Sequence, residues 1–112
     1  MSKNSTFALS NSTIQMVILN EKLIEQGIKG FGDAKKPLLA FRKTVLAANW
    51  KTPHDIKQTF PKVSIVSDYR YVFDIKGNSF RLIAVVNFQL ENIRILWFGT
   101  HAEYNKINVL KL

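Results

Sequence analysis

His101, Glu103 and Tyr104 fall within one helical turn of each other in the run Thr100-His101-Ala102-Glu103-Tyr104. An imidazole, a carboxylate and a phenol can each take or give a proton in a transition state. Arg81 and Lys57 add cations. Such a set suits displacement at a phosphodiester. If a neighbouring 2′-hydroxyl attacks the phosphate, three roles must be filled. A base takes the hydroxyl proton, a cation stabilises the charged phosphorane, and an acid serves the leaving oxygen. His101 or Glu103 can be the base, Arg81 or Lys57 the cation, and Tyr104 or His101 the acid. No metal is required. Each group also has an ordinary use: Glu103 as the partner of Thr100 in a capping box, Arg81 as a balance for Asp74, Tyr104 as packing, His101 as a structural residue.

The elements that must bring these residues together read as follows. Ile14 to Leu19 is a short buried strand, and Asn20 caps a helix from Glu21 to about Gln26, broken by Gly27, Gly30 and Gly32. Asp33 caps a second helix in which Leu38, Phe41, Val45 and Ala48 recur at helical spacing until Trp50 closes it. Thr52-Pro53-His54-Asp55 opens a third, short helix that Pro61 stops, with His54 exposed in its first turn. Beyond Val63 the period becomes two, giving strands at Val63–Val66, Arg70–Ile75, Ser79–Leu90 and Ile93–Phe98. Thr100 then caps a last helix reaching about Lys106. The chain reads as α+β: an N-terminal strand and helices packed on an antiparallel sheet, with a short C-terminal helix.

The Gly77-Asn78 hairpin signal pairs Asp74 with Arg81 and Arg70 with Val85. Tyr71, Phe73, Ile75, Phe80, Leu82, Ala84, Val86 and Phe88 then share one apolar face against the helices. A second turn at Glu91-Asn92 sets Phe88 against Ile95 and Val86 against Trp97, bringing Arg81 opposite His101 and Ala102. The other face collects Arg70, Asp74, Lys76, Arg81, Asn87 and His101, a mixed basic surface suited to a phosphate backbone. In the first turn of the last helix, the unpaired N–H groups and the helix dipole favour an anion and a neutral imidazole at His101.

The 112 residues leave room for one domain, taken as residues 14–112 behind a flexible tail at 1–13. Sixteen Lys and Arg against eight Asp and Glu give a formal charge of +8, which destabilises so small a body by self-repulsion and points to a polyanionic partner. Between Lys35 and Lys62 seven basic residues, Lys35, Lys36, Arg42, Lys43, Lys51, Lys57 and Lys62, face the single acid Asp55; they suit RNA phosphates or an acidic partner surface. The absence of cysteine excludes disulfides, thiolate zinc sites and cysteine nucleophiles, and fits the cytoplasm. Two distant histidines make no zinc site. The polar start lacks a signal peptide's apolar run, and no stretch approaches the ~20 apolar residues of a membrane helix.

From about Met16 to Ile107 the chain resembles the HigB family of type II toxins, related in fold to RelE. The resemblance rests on an ordered series: Ala48-Asn49-Trp50, Lys51-Thr52-Pro53 leading to Asp55-Ile56-Lys57, Tyr71-Val72-Phe73-Asp74-Ile75, Gly77-Asn78 before Phe80-Arg81-Leu82, and Thr100-His101-Ala102-Glu103-Tyr104. It implies an mRNA endoribonuclease, or mRNA interferase, that inhibits translation in association with the ribosome. A HigA-like helix-turn-helix antitoxin would neutralise it, and operator DNA would be reached only through that complex. Carried over by motif, the functional positions are Lys57, Arg81, His101 and Tyr104, with Glu103 and Asn78 beside them. The basic surface adds Arg70, Lys76, Lys51 and Lys62 as RNA-binding candidates. The N-terminal extension and the three glycines depart from the family's pattern. Two other functions share the basic face: a non-catalytic RNA- or ribosome-binding module, and a structural subunit docking an acidic protein.

Overall fold

A computed structural model describes residues 16–67 and 69–112. The tail at 1–13, and Ile14 and Gln15 of the first expected strand, lie outside them. The elements are β1 (Val17–Leu19), α1 (Lys22–Gly30), a 3-10 turn (Gly32–Ala34), α2 (Lys35–Ala47), α3 (Pro53–Thr59), β2 (Ser64–Val66), β3 (Arg70–Ile75), β4 (Phe80–Asn87), β5 (Asn92–Thr100), α4 (His101–Tyr104) and a final 3-10 turn (Val109–Lys111). The five strands form one sheet in the order β1-β5-β4-β3-β2. β1 runs parallel to β5, and the other pairs are antiparallel. The α+β reading holds.

The helices cover one face. Leu38, Phe41 and Val45 of α2, Ile24 of α1 and Ile56 of α3 pack on Tyr71, Phe73, Ile75, Phe80, Leu82, Ala84 and Val86, all buried. Phe60 meets Phe41 and Phe73 with ring centroids 5.5 and 5.1 Å apart, so the segment after α3 is anchored in this core. Trp50 lies past the end of α2, and its indole N–H donates to Thr59 Oγ1 at 3.0 Å, tying the two ends of α3's surroundings together.

Three local expectations are corrected. Asn20 does not cap α1; it sits at φ 68°, and its amide donates to the Ile95 carbonyl at 2.9 Å, locking the end of β1 to β5. Gly27 does not break α1, which runs on to Gly30. A Cβ there would lie 2.6 Å from the Phe98 ring, so this glycine is the notch that lets helix and sheet approach. Asp33 lies in the 3-10 turn without capping α2, and instead receives Lys76 Nζ at 2.8 Å. That ion pair holds the Asp33 carboxyl below its usual value.

The first hairpin has the expected register, with Asp74 opposite Arg81 and Arg70 opposite Val85. The second does not. Phe88 to Glu91 form a four-residue loop, in which Asn87 Oδ1 accepts from Leu90 N at 2.9 Å and Glu91 adopts φ 55°. Val86 therefore faces Ile93 rather than Trp97. The register also shifts between Ala84, opposite Ile95, and Ile83, opposite Trp97, leaving Leu96 as an inserted residue. This bulge returns Phe98 to the helix side, where it stacks on Phe80 at 5.4 Å, and turns Trp97 to the other face.

Candidate active site

Away from the helices, three cross-strand rows cross β3, β4 and β5: Asp74, Arg81 and Gly99; Val72, Ile83 and Trp97; Arg70, Val85 and Arg94. The face is not open, as the sequence reading supposed. Val72 and Ile83 are 2% and 0% exposed although neither belongs to the helix-side core. α4 packs over β4 and β5 here, with Tyr104 against Trp97 at 6.3 Å, and the Leu112 carbonyl accepts from Arg70 Nη2 at 2.7 Å.

Arg81 is the centre of the first row. Its guanidinium donates to Asn78 Oδ1 at 2.6 Å, pairs with Asp74 Oδ1 at 3.2 Å and lies 5.7 Å from the centroid of the Tyr104 ring. Its side chain is only 13% exposed. A planar fork held at two points and backed by an aromatic face keeps one orientation, which a phosphorane stabiliser requires. Asn78, from the Gly-Asn turn, is thus a holder of Arg81 as well as a surface residue.

α4 is positioned by its own sequence. Thr100 Oγ1 accepts from Glu103 N at 3.1 Å, and Glu103 Oε1 accepts from Thr100 N at 2.9 Å, closing the expected capping box. The His101 N–H donates to the Ser79 carbonyl at 3.0 Å, so the helix start is bonded to the same hairpin turn that supplies Asn78. His101 Nδ1 is buried without a hydrogen-bond partner among the described residues. Among the described residues the ring therefore carries a buried polar atom without compensation, as functional groups often do. The shorter register places Arg81 opposite Gly99, two residues before His101, rather than opposite His101 and Ala102. Arg81, Tyr104 and the start of α4 still converge at one corner.

Lys57 and Lys62 approach from the sheet edge. Lys57 Nζ donates to the Val63 carbonyl at 3.1 Å. Lys62 and Val63 line a cleft of about 320 Å³ together with Asp74 and Gly77, so this edge adjoins Arg81 through Asp74. Lys76 is engaged by Asp33 at the same end. Two of the predicted RNA-binding residues belong elsewhere. Lys51 pairs with Glu91 at 2.9 Å, at the far end of β4 and β5, and Arg70 stands four residues along β3 from Asp74, about 13 Å at 3.3 Å per residue. Arg94, beside Arg70 across Val85, was missed because the second register was misread. Gly99 was also missed. A Cβ on it would lie 2.7 Å from Glu103 Oε1 and from the Trp97 ring, so only glycine lets α4 close over β5. Its signal was present: the one glycine of the last strand, directly before the capping Thr100. His54 is exposed, and no group of three or more ligating side chains is found among the described residues.

The family model that matches residues 34–107 is described as HigB_toxin, the RelE-like toxic component of a toxin-antitoxin system. Among curated proteins, the mRNA interferase toxin HigB of Escherichia coli (strain K12) is 28% identical, with 80% of this chain and 88% of that protein covered. The mRNA interferase HigB of Shigella flexneri has the same identity and coverage. That of Escherichia coli O6:H1 is 26% identical, covering 82% of this chain and 91% of the relative. The matched span holds every residue of the Arg81 corner, and the chain belongs to the HigB family of RelE-like toxins.

Proposed function

We propose that the protein is an endoribonuclease that cuts mRNA on the ribosome and so inhibits translation, its own side chains supplying acid, base and cation without a metal. The relatives named mRNA interferase support the substrate class. The observation that carries the chemistry is Arg81, fixed by Asp74 and Asn78 over the Tyr104 ring at the corner where α4 begins. In this reading Arg81 stabilises the phosphorane, and His101 and Tyr104 exchange the protons of attack and departure. Glu103 acts through the capping box by fixing the helix that carries both. Lys57 and Lys62 hold phosphates of the same strand, with Lys76 and Asn78 nearby.

A HigA-like helix-turn-helix antitoxin neutralises the toxin, and operator DNA is reached only through that complex. The family's definition as the toxic component supports a neutralising partner, and the charge of +8 supports a polyanionic substrate and an acidic inhibitor surface alike. The test is induction of the chain alone in bacteria, followed by mapping of message lengths. Growth arrest with shortened messages, relieved by coexpression of a HigA-like helix-turn-helix protein, is expected. Intact messages under arrest would favour a ribosome-binding module that does not cut.

A further inference from the structure

The apolar walls of the cleft at the edge of β3 are the feature of this corner that the cleavage chemistry does not use. Its walls, Phe60, Pro61 and Val63, are apolar, and its rim carries Lys62 and Asp74. Its volume of about 320 Å³ lies at the small end of the range of about 300–1,000 Å³ for ligand pockets. The sequence fixes this shape. α3 ends at Thr59, Phe60 is anchored in the core by Phe41, Phe73 and Trp50, and β2 begins only at Ser64, so the loop crosses the end of β3 without pairing to it.

Resting on the reading of the chain as a ribonuclease, we propose that this cleft is a nucleobase subsite, taking the base of the nucleotide beside the scissile phosphate and reading its hydrogen-bonding edge through Asp74. A flat ring slides between apolar walls without further contacts, since every base has a π-face. Lys62 at the rim is an exposed cation for the attached phosphate. Asp74 pairs with Arg81 through Oδ1, and its side chain is 28% exposed and lines the cleft, so the carboxylate can also accept from a ligand there. A carboxylate oxygen only accepts, so it selects bases that carry an exocyclic amino donor, adenine, cytosine and guanine, and disfavours uracil, which has none. The same Asp74 thus orients the cation and reads the base, which sets cut position and base identity in one frame.

The test is amide chemical-shift mapping of the isotope-labelled full chain during titration with AMP, CMP, GMP and UMP in turn. Shifts at Phe60, Lys62, Val63 and Gly77 are expected, with UMP weakest. Asp74→Asn, which keeps an oxygen for Arg81 and adds a donor, should change the ranking of the four by about fivefold or more. Lys62→Ala should instead weaken all four alike. Silence in the cleft, or an unchanged ranking in Asp74→Asn, overturns the subsite. The outcome is separable from the cleavage reading: messages cut by wild-type protein with a silent cleft remove only the subsite, and base-selective binding in the cleft with messages left whole removes only the cleavage.

Discussion

At the scale of single residues, cleavage depends on how Arg81 and α4 are held. Arg81→Lys keeps the charge and loses the fork to Asn78 and Asp74, so mRNA cleavage should fall about 10²-fold, the usual cost of one preorganised stabiliser, with the far-ultraviolet spectrum unchanged. Cleavage within a factor of two of wild type would remove Arg81 from the chemistry. Gly99→Ala is the sharper probe of positioning. Its methyl must displace the Glu103 carboxylate or the Trp97 ring, so cleavage should drop while Arg81 keeps its partners, and Gly99→Ala should also shift the fluorescence of Trp97. Residues that form local patterns were legible in the sequence: the capping box that orients His101 and Tyr104, and the turn residue Asn78. Those defined by space alone, such as the notch at Gly99 and the row joining Arg70 to Arg94, depend on a register that no local pattern fixes.

At the scale of elements, α3 stands on a second capping box, in which Thr52 Oγ1 accepts from Asp55 N and Asp55 Oδ2 accepts from the N–H groups of Lys51 and Thr52. The hydrogen bond from Lys51 N, with those from Thr52, lowers the Asp55 carboxyl from its ordinary 3.8. A lowered folded value means the stabilisation is complete above about pH 3.8 and is lost as pH falls through the folded value. Thr52→Ala should cost about 1 kcal/mol in denaturant unfolding at pH 7. Asp55→Ala should destabilise at pH 7 and converge on wild type in strongly acidic solution, and a gap that persists there would contradict the sign. Gly77-Asn78 carries its own turn geometry, with Gly77 at φ 61°, and its register was readable. The β4–β5 connection is set instead by Asn87, by Glu91 at φ 55° and by the docking of β1, whose Val17 N donates to the Glu91 carbonyl. That last contact spans the chain, and no pairwise turn signal carries it. The bulge at Leu96 has the same origin, since it satisfies Phe98 against α1 and Trp97 against α4 at once.

At the scale of the whole molecule, two cores share one sheet. The helix side is the larger, but Ile83 on the other side is fully buried, so Ile83→Ala should cost about 2–5 kcal/mol, as much as a substitution beneath the helices; a cost below 1 kcal/mol would mean that face is open to solvent. The formal charge of +8 suits a polyanionic substrate. Composition alone indicated that polyanion, because charge needs no register to be counted; the corner where it becomes chemistry did need one. The most direct measurement supplies purified ribosomes with a defined message in the magnesium that keeps them assembled, adds the protein, and sequences the RNA ends. Attack by the 2′-hydroxyl assisted by Arg81, His101 and Tyr104 predicts new 5′-hydroxyl ends opposite 2′,3′-cyclic phosphates, lost in Arg81→Lys and His101→Ala. Message bound but uncut, or cut equally by both variants, would contradict it.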